Sequence, residues 1–222
     1  MGTVVVVTDP IMTTDYLDRC RVCRGLVHAP FTLCFCCHTL LGQLQMPLVP
    51  IVTMVEYCTG DRMHRRLRGY KDAPVSEARD QYRDQLAAMA SRWVHSQGRL
   101  FGSRPGSAWN TVVTVPSSHR PAGCPVDAIV ARVPELGAVH RPLLTRGTGT
   151  TDHLQSDRSG FEMAPGIDRR QVRGLRVLVF DDSVVTGARA QSAAAALRLA
   201  GAQVVGVLAL GRVMQPLVSR TG

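Results

Sequence analysis

The chain has 222 residues, 45% of them hydrophobic and 19% charged, which excludes a disordered protein and allows one main domain with a small appendage. The formal net charge is +9 and Lys71 is the only lysine among 26 basic side chains, a balance that favours anionic partners, although GC-rich coding produces the same arginine bias. No apolar run approaches the roughly 20 residues a bilayer needs, and Val4 to Val7 is too short for a secretory signal, so no membrane insertion and a cytoplasmic location are expected.

Residues 1–50 are cysteine-rich and broken by Pro30, Pro47 and Pro50, which predicts loops and short strands. Seven cysteines without an export signal point away from a disulfide framework and toward metal or free thiols. Cys20-x-x-Cys23 is followed, ten residues on, by Cys34-x-x-Cys37. Two such knuckles can converge four thiolates on a structural Zn²⁺ in zinc-ribbon fashion, with sulfur distances near ~2.3 Å. Cys36 and His38 are adjacent spares, and either could replace a ligand. The plainer alternative is a loose set of reduced thiols. Lone Cys58 and Cys124 fit buried small hydrophobes better than nucleophiles.

Residues 51–222 form the expected second unit, an α/β domain with an open parallel sheet. Val49 to Tyr57 is a β-branched run suited to an edge strand at its entry. Pro74 sits as the first residue of a helix whose apolar Tyr82, Leu86, Met89, Ala90 and Trp93 recur at helical steps until Gly98. A loop over Arg99 to Trp109 leads to a strand, Thr111 to Val115, stopped by Pro116. A helix is expected over Val126 to Val133 and a weaker strand over His140 to Leu144. The polar stretch from Arg146 to Arg170 is long for a connection, which marks it as functional or mobile. Strand Arg176 to Phe180, a turn, helix Ala188 to Leu199, the stop Gly201 and strand Val204 to Leu210 make a βαβ unit.

That unit carries the chemistry. A fully apolar strand delivers Asp181 and Asp182 at its carboxyl end, where open α/β sheets bind ligands. The small residues of Ser183-Val184-Val185-Thr186-Gly187-Ala188 let backbone N–H groups crowd an anion at a helix N-terminus. The helix dipole supplies about 0.3–1 kcal/mol at an exposed site, so charge-assisted hydrogen bonds of roughly 1.5–3 kcal/mol each must supply the rest. Adjacent acids would repel a bare phosphate, so they suit sugar hydroxyls or a ligand-bound metal.

Four apolar residues, two acids and a short loop ending in Thr-Gly resemble the phosphoribosyl pyrophosphate signature of type I phosphoribosyltransferases. The resemblance implies that Asp181 and Asp182 hold the ribose hydroxyls while Ser183, Val184, Val185, Thr186, Gly187, Ala188 and Arg189 wrap the 5-phosphate. Arg189 stands where Thr or Ser is usual, and Ser183 replaces a common apolar residue. With the four-cysteine knuckles ahead of it, the chain resembles the ComF family, associated with competence and use of DNA; Gly69-Tyr70-Lys71, Arg158 and Phe161 add to the likeness.

The family's Arg-Gly-Phe-Asn stretch is replaced by Val115-Pro116-Ser117-Ser118-His119-Arg120. Ser117, Ser118, His119 and Arg120 are therefore the best cradle for a leaving pyrophosphate, with an ordinary polar turn as the alternative. Lys71 could also reach an anion, and His153 and Arg158 could close as a lid. The resemblance implies Mg²⁺-dependent phosphoribosyl transfer to a nitrogen acceptor. The competing expectations are a non-catalytic binder of phosphoribosyl pyrophosphate, an accessory that meets nucleic acid or DNA-processing proteins, and an interaction protein held together by zinc.

Overall fold

The computed structural model describes residues 17–28, 30–97, 109–117 and 124–214. Strands β1 (Leu17–Arg19) and β2 (Leu26–His28) form an antiparallel hairpin, followed by helix α1 (Phe35–Leu44). Helix α1 corrects the expectation of loops and short strands alone in this region. Its N-cap is Cys34, whose sulfur accepts from the Cys37 N–H at 3.5 Å, and its end is Gln45, in the left-handed region at φ 46°.

Strand β3 (Ile51–Tyr57) leads to two helices where sequence periodicity predicts one. In α2 (Arg62–Asp72), Asp61 caps the start by accepting from the His64 N–H at 2.8 Å, and Met63, Leu67 and Tyr70 are buried. Helix α3 spans Ser76–Gln97, so Pro74 lies in the connection rather than at the first helical position. There Arg79 donates to the Ala73 carbonyl at 2.6 Å and holds the bend. Gly69 allows α2 and α3 to touch, since a Cβ at that position would run into the Tyr82 ring.

After β4 (Thr111–Thr114), the helix expected over Val126 to Val133 is reduced to α4 (Asp127–Val130), and a second short helix, α5 (Pro134–Gly137), follows beyond it. Val133, restricted by the following proline, takes an extended conformation, and Pro134 opens the second piece. His140 makes only an isolated bridge to Val112, and the strand begins later as β5 (Leu144–Arg146). It pairs antiparallel with β6 (Phe161–Met163), so the polar stretch is partly structured. Short α6 (Arg169–Val172) carries a capping box between Asp168 and Gln171.

The chain ends its described part with β7 (Arg176–Val184), α7 (Ala188–Leu199) and β8 (Gln203–Val213). The helix has the expected limits. The strand does not stop at Phe180, because β8 runs long beside it and pairs Asp181 with Ala209, Ser183 with Gly211 and Val184 with Arg212.

Four strands form one parallel sheet in the order β3-β8-β7-β4, with β3 at the edge as expected. Successive β7 residues serve opposite faces. Val177 and Val179 pack with Ala190, Ala193, Ala194 and Leu197 of α7, and with Cys20, Cys23 and Cys37. Leu178 and Phe180 pack with Tyr70, Leu86, Ala90 and Ile129 on the other side. The cysteine segment thus shares a core with the sheet, and the Ile51 N–H donates to the Val22 carbonyl at 2.7 Å. No helix among the described residues is long and apolar enough to cross a membrane.

Candidate functional site

The cysteine knuckles are built first by local backbone. The Cys20 N–H donates to the Gly25 carbonyl at 2.8 Å and the Arg24 N–H to the Cys20 carbonyl at 2.9 Å, closing a tight turn with Arg24 at φ 62°. The other pair sits on the first turn of α1. All four sulfurs, from Cys20, Cys23, Cys34 and Cys37, lie within 4.8 Å of one another, and those of Cys23 and Cys34 are 3.6 Å apart. A zinc tetrathiolate with bonds of about 2.3 Å has sulfur–sulfur edges near 3.8 Å, so these residues could hold that ion. Cys36 and His38 stand outside the group of four.

Hydrogen bonding with Cys34 and with Cys37 holds Cys23 below the usual thiol range, with Arg212 adding to the effect. The hydrogen bond to Cys23 pushes Cys34 up to about 11.

A cavity of about 1020 Å³ opens beside the carboxyl ends of β7 and β4. Asp181, Asp182 and every residue from Ser183 to Arg189 line it, together with Lys71, Ser117 and the stretch from Arg146 to His153. Of the expected pyrophosphate cradle, Ser118, His119 and Arg120 lie outside the described residues. The bend turns on Gly187, at φ 88°, which opens α7; a Cβ there would meet Ile51 Cδ1 at 2.7 Å. Val185 stands out at the tip, 46% exposed.

The two acids differ. Asp182 is only 7% exposed, and its Oδ2 accepts from the Tyr70 hydroxyl and pairs with Lys71. Asp181 carries neither of these partners; its Oδ1 accepts from the Asp182 N–H at 2.9 Å. Burial first, and the neighbouring Asp182 charge second, push its carboxyl up to about 7, against the pull of Arg189 and Lys71. Tyr70 is driven well above the usual phenol range by burial and by Asp182. The sequence offers a signal for Tyr70 in the spacing of Met63, Leu67 and Tyr70, which marks one buried helix face behind an Asp61 cap.

The remaining bend residues are tied to distant elements. Ser183 shares a 2.6 Å hydrogen bond with the Tyr57 hydroxyl, Thr186 donates to the His153 carbonyl, and Arg189 donates to the Pro116 carbonyl. Arg146 faces the same cavity, donates to Thr151 Oγ1 at 2.6 Å and lies over the Phe161 ring. Burial and the nearby Arg189 lower its proton affinity. Arg158 does not join this cavity. It donates to the carbonyl of Leu44 and to Gln45 Oε1 at the end of α1, so its place is a clasp between the polar stretch and that helix rather than a lid.

No protein-family model matches the chain, and no curated protein matches its sequence. Among solved structures, adenine phosphoribosyltransferase from Leishmania tarentolae is similar, with 10% identity and a TM-score of 0.39 over 75% of this chain and 94% of that one. Adenine phosphoribosyl transferase from Trypanosoma brucei, solved with AMP, pyrophosphate and ribose-5-phosphate, gives 8% identity and a TM-score of 0.39 over 78% and 93%.

Proposed function

We propose that the chain binds phosphoribosyl pyrophosphate and transfers its phosphoribosyl group to a nitrogen acceptor, releasing pyrophosphate. The observation that carries this reading is a single cavity bounded by Asp181, by the Ser183–Arg189 bend at the mouth of α7, and by the cations Lys71, Arg146 and Arg189. In the reaction the bond from ribose C1 to the diphosphate oxygen breaks, the diphosphate keeps the electron pair, and the acceptor nitrogen bonds to C1. The bend would receive the 5-phosphate through amides at the start of α7. A phosphate there competes with His153 for the Thr186 hydroxyl. Arg146, Arg189 and Lys71 would hold the leaving charge in place, and positioning with fixed positive charge would carry most of the rate.

The two acids take unequal parts in this proposal. Asp181 accepts from the ribose hydroxyls, while Asp182, engaged by Tyr70 and Lys71, fixes that lysine at the cavity wall. Mg²⁺ bound with the substrate would neutralise diphosphate charge, and Asp181 is the carboxylate that fits it.

Calorimetric titration of Mg²⁺–phosphoribosyl pyrophosphate into wild type and Asp181→Asn tests the site. Loss of most of the affinity in the variant is expected; equal affinity removes the assignment. Pyrophosphate release with a panel of bases and amines then tests turnover. Val115-Pro116-Ser117-Ser118-His119-Arg120 in place of Arg-Gly-Phe-Asn, and Arg189 in place of the usual Thr or Ser, favour a second reading, in which a ComF-type accessory protein binds the ligand without transferring it. Tight binding with no release across the panel selects that reading.

A further inference from the structure

Arg212 lies near the end of β8, 189 positions after Cys23, and is 7% exposed. A guanidinium is rarely buried without a matching anion, because removing its charge from water costs several kcal/mol. Its Nη1 donates to Cys23 Sγ at 3.5 Å and its Nη2 to the Cys23 carbonyl. The guanidinium is also close to the turn that shapes the first knuckle, for a Cβ on Gly25 would lie 3.0 Å from Nη1 and 3.3 Å from Cys23 Sγ. Neither contact reaches a carboxylate. The partner is a sulfur of the four-cysteine cluster.

Four thiolates around a divalent cation leave the centre with net negative charge, and this centre sits in the shared core, with Cys20 and Cys37 fully buried. Such charge requires a nearby cation or several N–H donors. We infer that Arg212 is the positioning residue for a Zn²⁺–tetrathiolate centre, holding Cys23 Sγ by a charged hydrogen bond and offsetting the charge of the cluster from the strand that adjoins β7. Because Arg212 pairs with Val184 in the β ladder, the centre is fastened to the strand that leads into the bend, not only to its own hairpin.

The test uses the full chain loaded with zinc, a chelator competition to measure zinc affinity, and Co²⁺ as a spectroscopic substitute. Arg212→Gln should weaken zinc binding by about 10–100-fold and shift the sulfur-to-cobalt charge-transfer band, while Arg212→Lys, which keeps the charge but not the fork, should recover part of the affinity. Equal zinc affinity and an unmoved cobalt band in Arg212→Gln overturn the proposal. Should these variants fail to fold, wild type loaded with ¹¹³Cd decides: a correlation between a guanidinium proton and the metal through Cys23 Sγ is expected, and its absence overturns the proposal equally. None of these readouts depends on phosphoribosyl transfer.

Discussion

The four-cysteine cluster and the β7–α7 bend each gather polar atoms around a small space, and they are assembled in opposite ways. The cluster draws its sulfurs from one short stretch, with all four inside 4.8 Å and a hairpin and a helix turn to set them. The bend spreads its groups around about 1020 Å³ and ties four of its residues to remote parts of the chain. Asp182 is held from α2, Ser183 from β3, Thr186 from the polar stretch and Arg189 from the end of β4. The first depends mainly on its own sulfurs, with Arg212 as its tie to the sheet, whereas the second depends on the whole sheet being in place.

The sharpest way to break that contrast is to remove one ligand from the cluster. Cys37→Ser should abolish stoichiometric zinc and unfold the segment around α1, since structural zinc contributes on the order of 10–16 kcal/mol of apparent binding energy. Metal analysis with proteolysis checks it, and a variant that keeps both zinc and protease resistance would defeat the metal reading.

At the bend, Tyr70→Phe should cost about 1–3 kcal/mol in urea unfolding, because it removes a donor to the buried Asp182 carboxylate. No change in the midpoint would mean that Lys71 alone satisfies that acid. Gly187→Ala is expected to cost a comparable ~1–3 kcal/mol through its left-handed backbone and the approach of Ile51, and to spare zinc content entirely.

The last effect is a pH slope. Asp181 has its folded value raised to about 7 from an ordinary 3.8, so the folded chain binds more protons between those limits. Its contribution to stability is fully present below about pH 4 and is lost as pH rises through about 7. The difference in melting temperature between wild type and Asp181→Asn should therefore widen against wild type across that window. A constant difference would show that the carboxyl titrates normally.

How much of this was legible in the sequence follows the same contrast. The cysteine spacing marks out the four cysteines that come together, and the βαβ pattern predicts α7 to the residue. Helix α1 escapes because its cap is a thiol and its buried Cys37, Leu40 and Leu44 are interleaved with Thr39, Gly42 and Gln43. Helix α2 is hidden among arginines, though Met63, Leu67 and Tyr70 carry its period. At the site, the adjacency of Asp181 and Asp182 suggests equal roles. The extra length of β7 turns the two side chains toward different faces, and only the tertiary fold brings Tyr70 and Lys71 to one of them. Arg146 is likewise invisible until β5 and β6 pair and aim the polar stretch at the bend.

The inner face of α7 is made almost wholly of alanine, with Ala188, Ala190 and the run Ala193 to Ala196 buried against the sheet and its neighbours. At these alanines truncation has nothing beyond a methyl to take away, Leu197, Gln191 and Ser192 being the longer buried side chains of the helix, while every longer apolar residue in their place must push the helix off its seat. Injury at these alanines is therefore one-directional, and a small tilt of the helix would move the amides at its start, where the bend meets it.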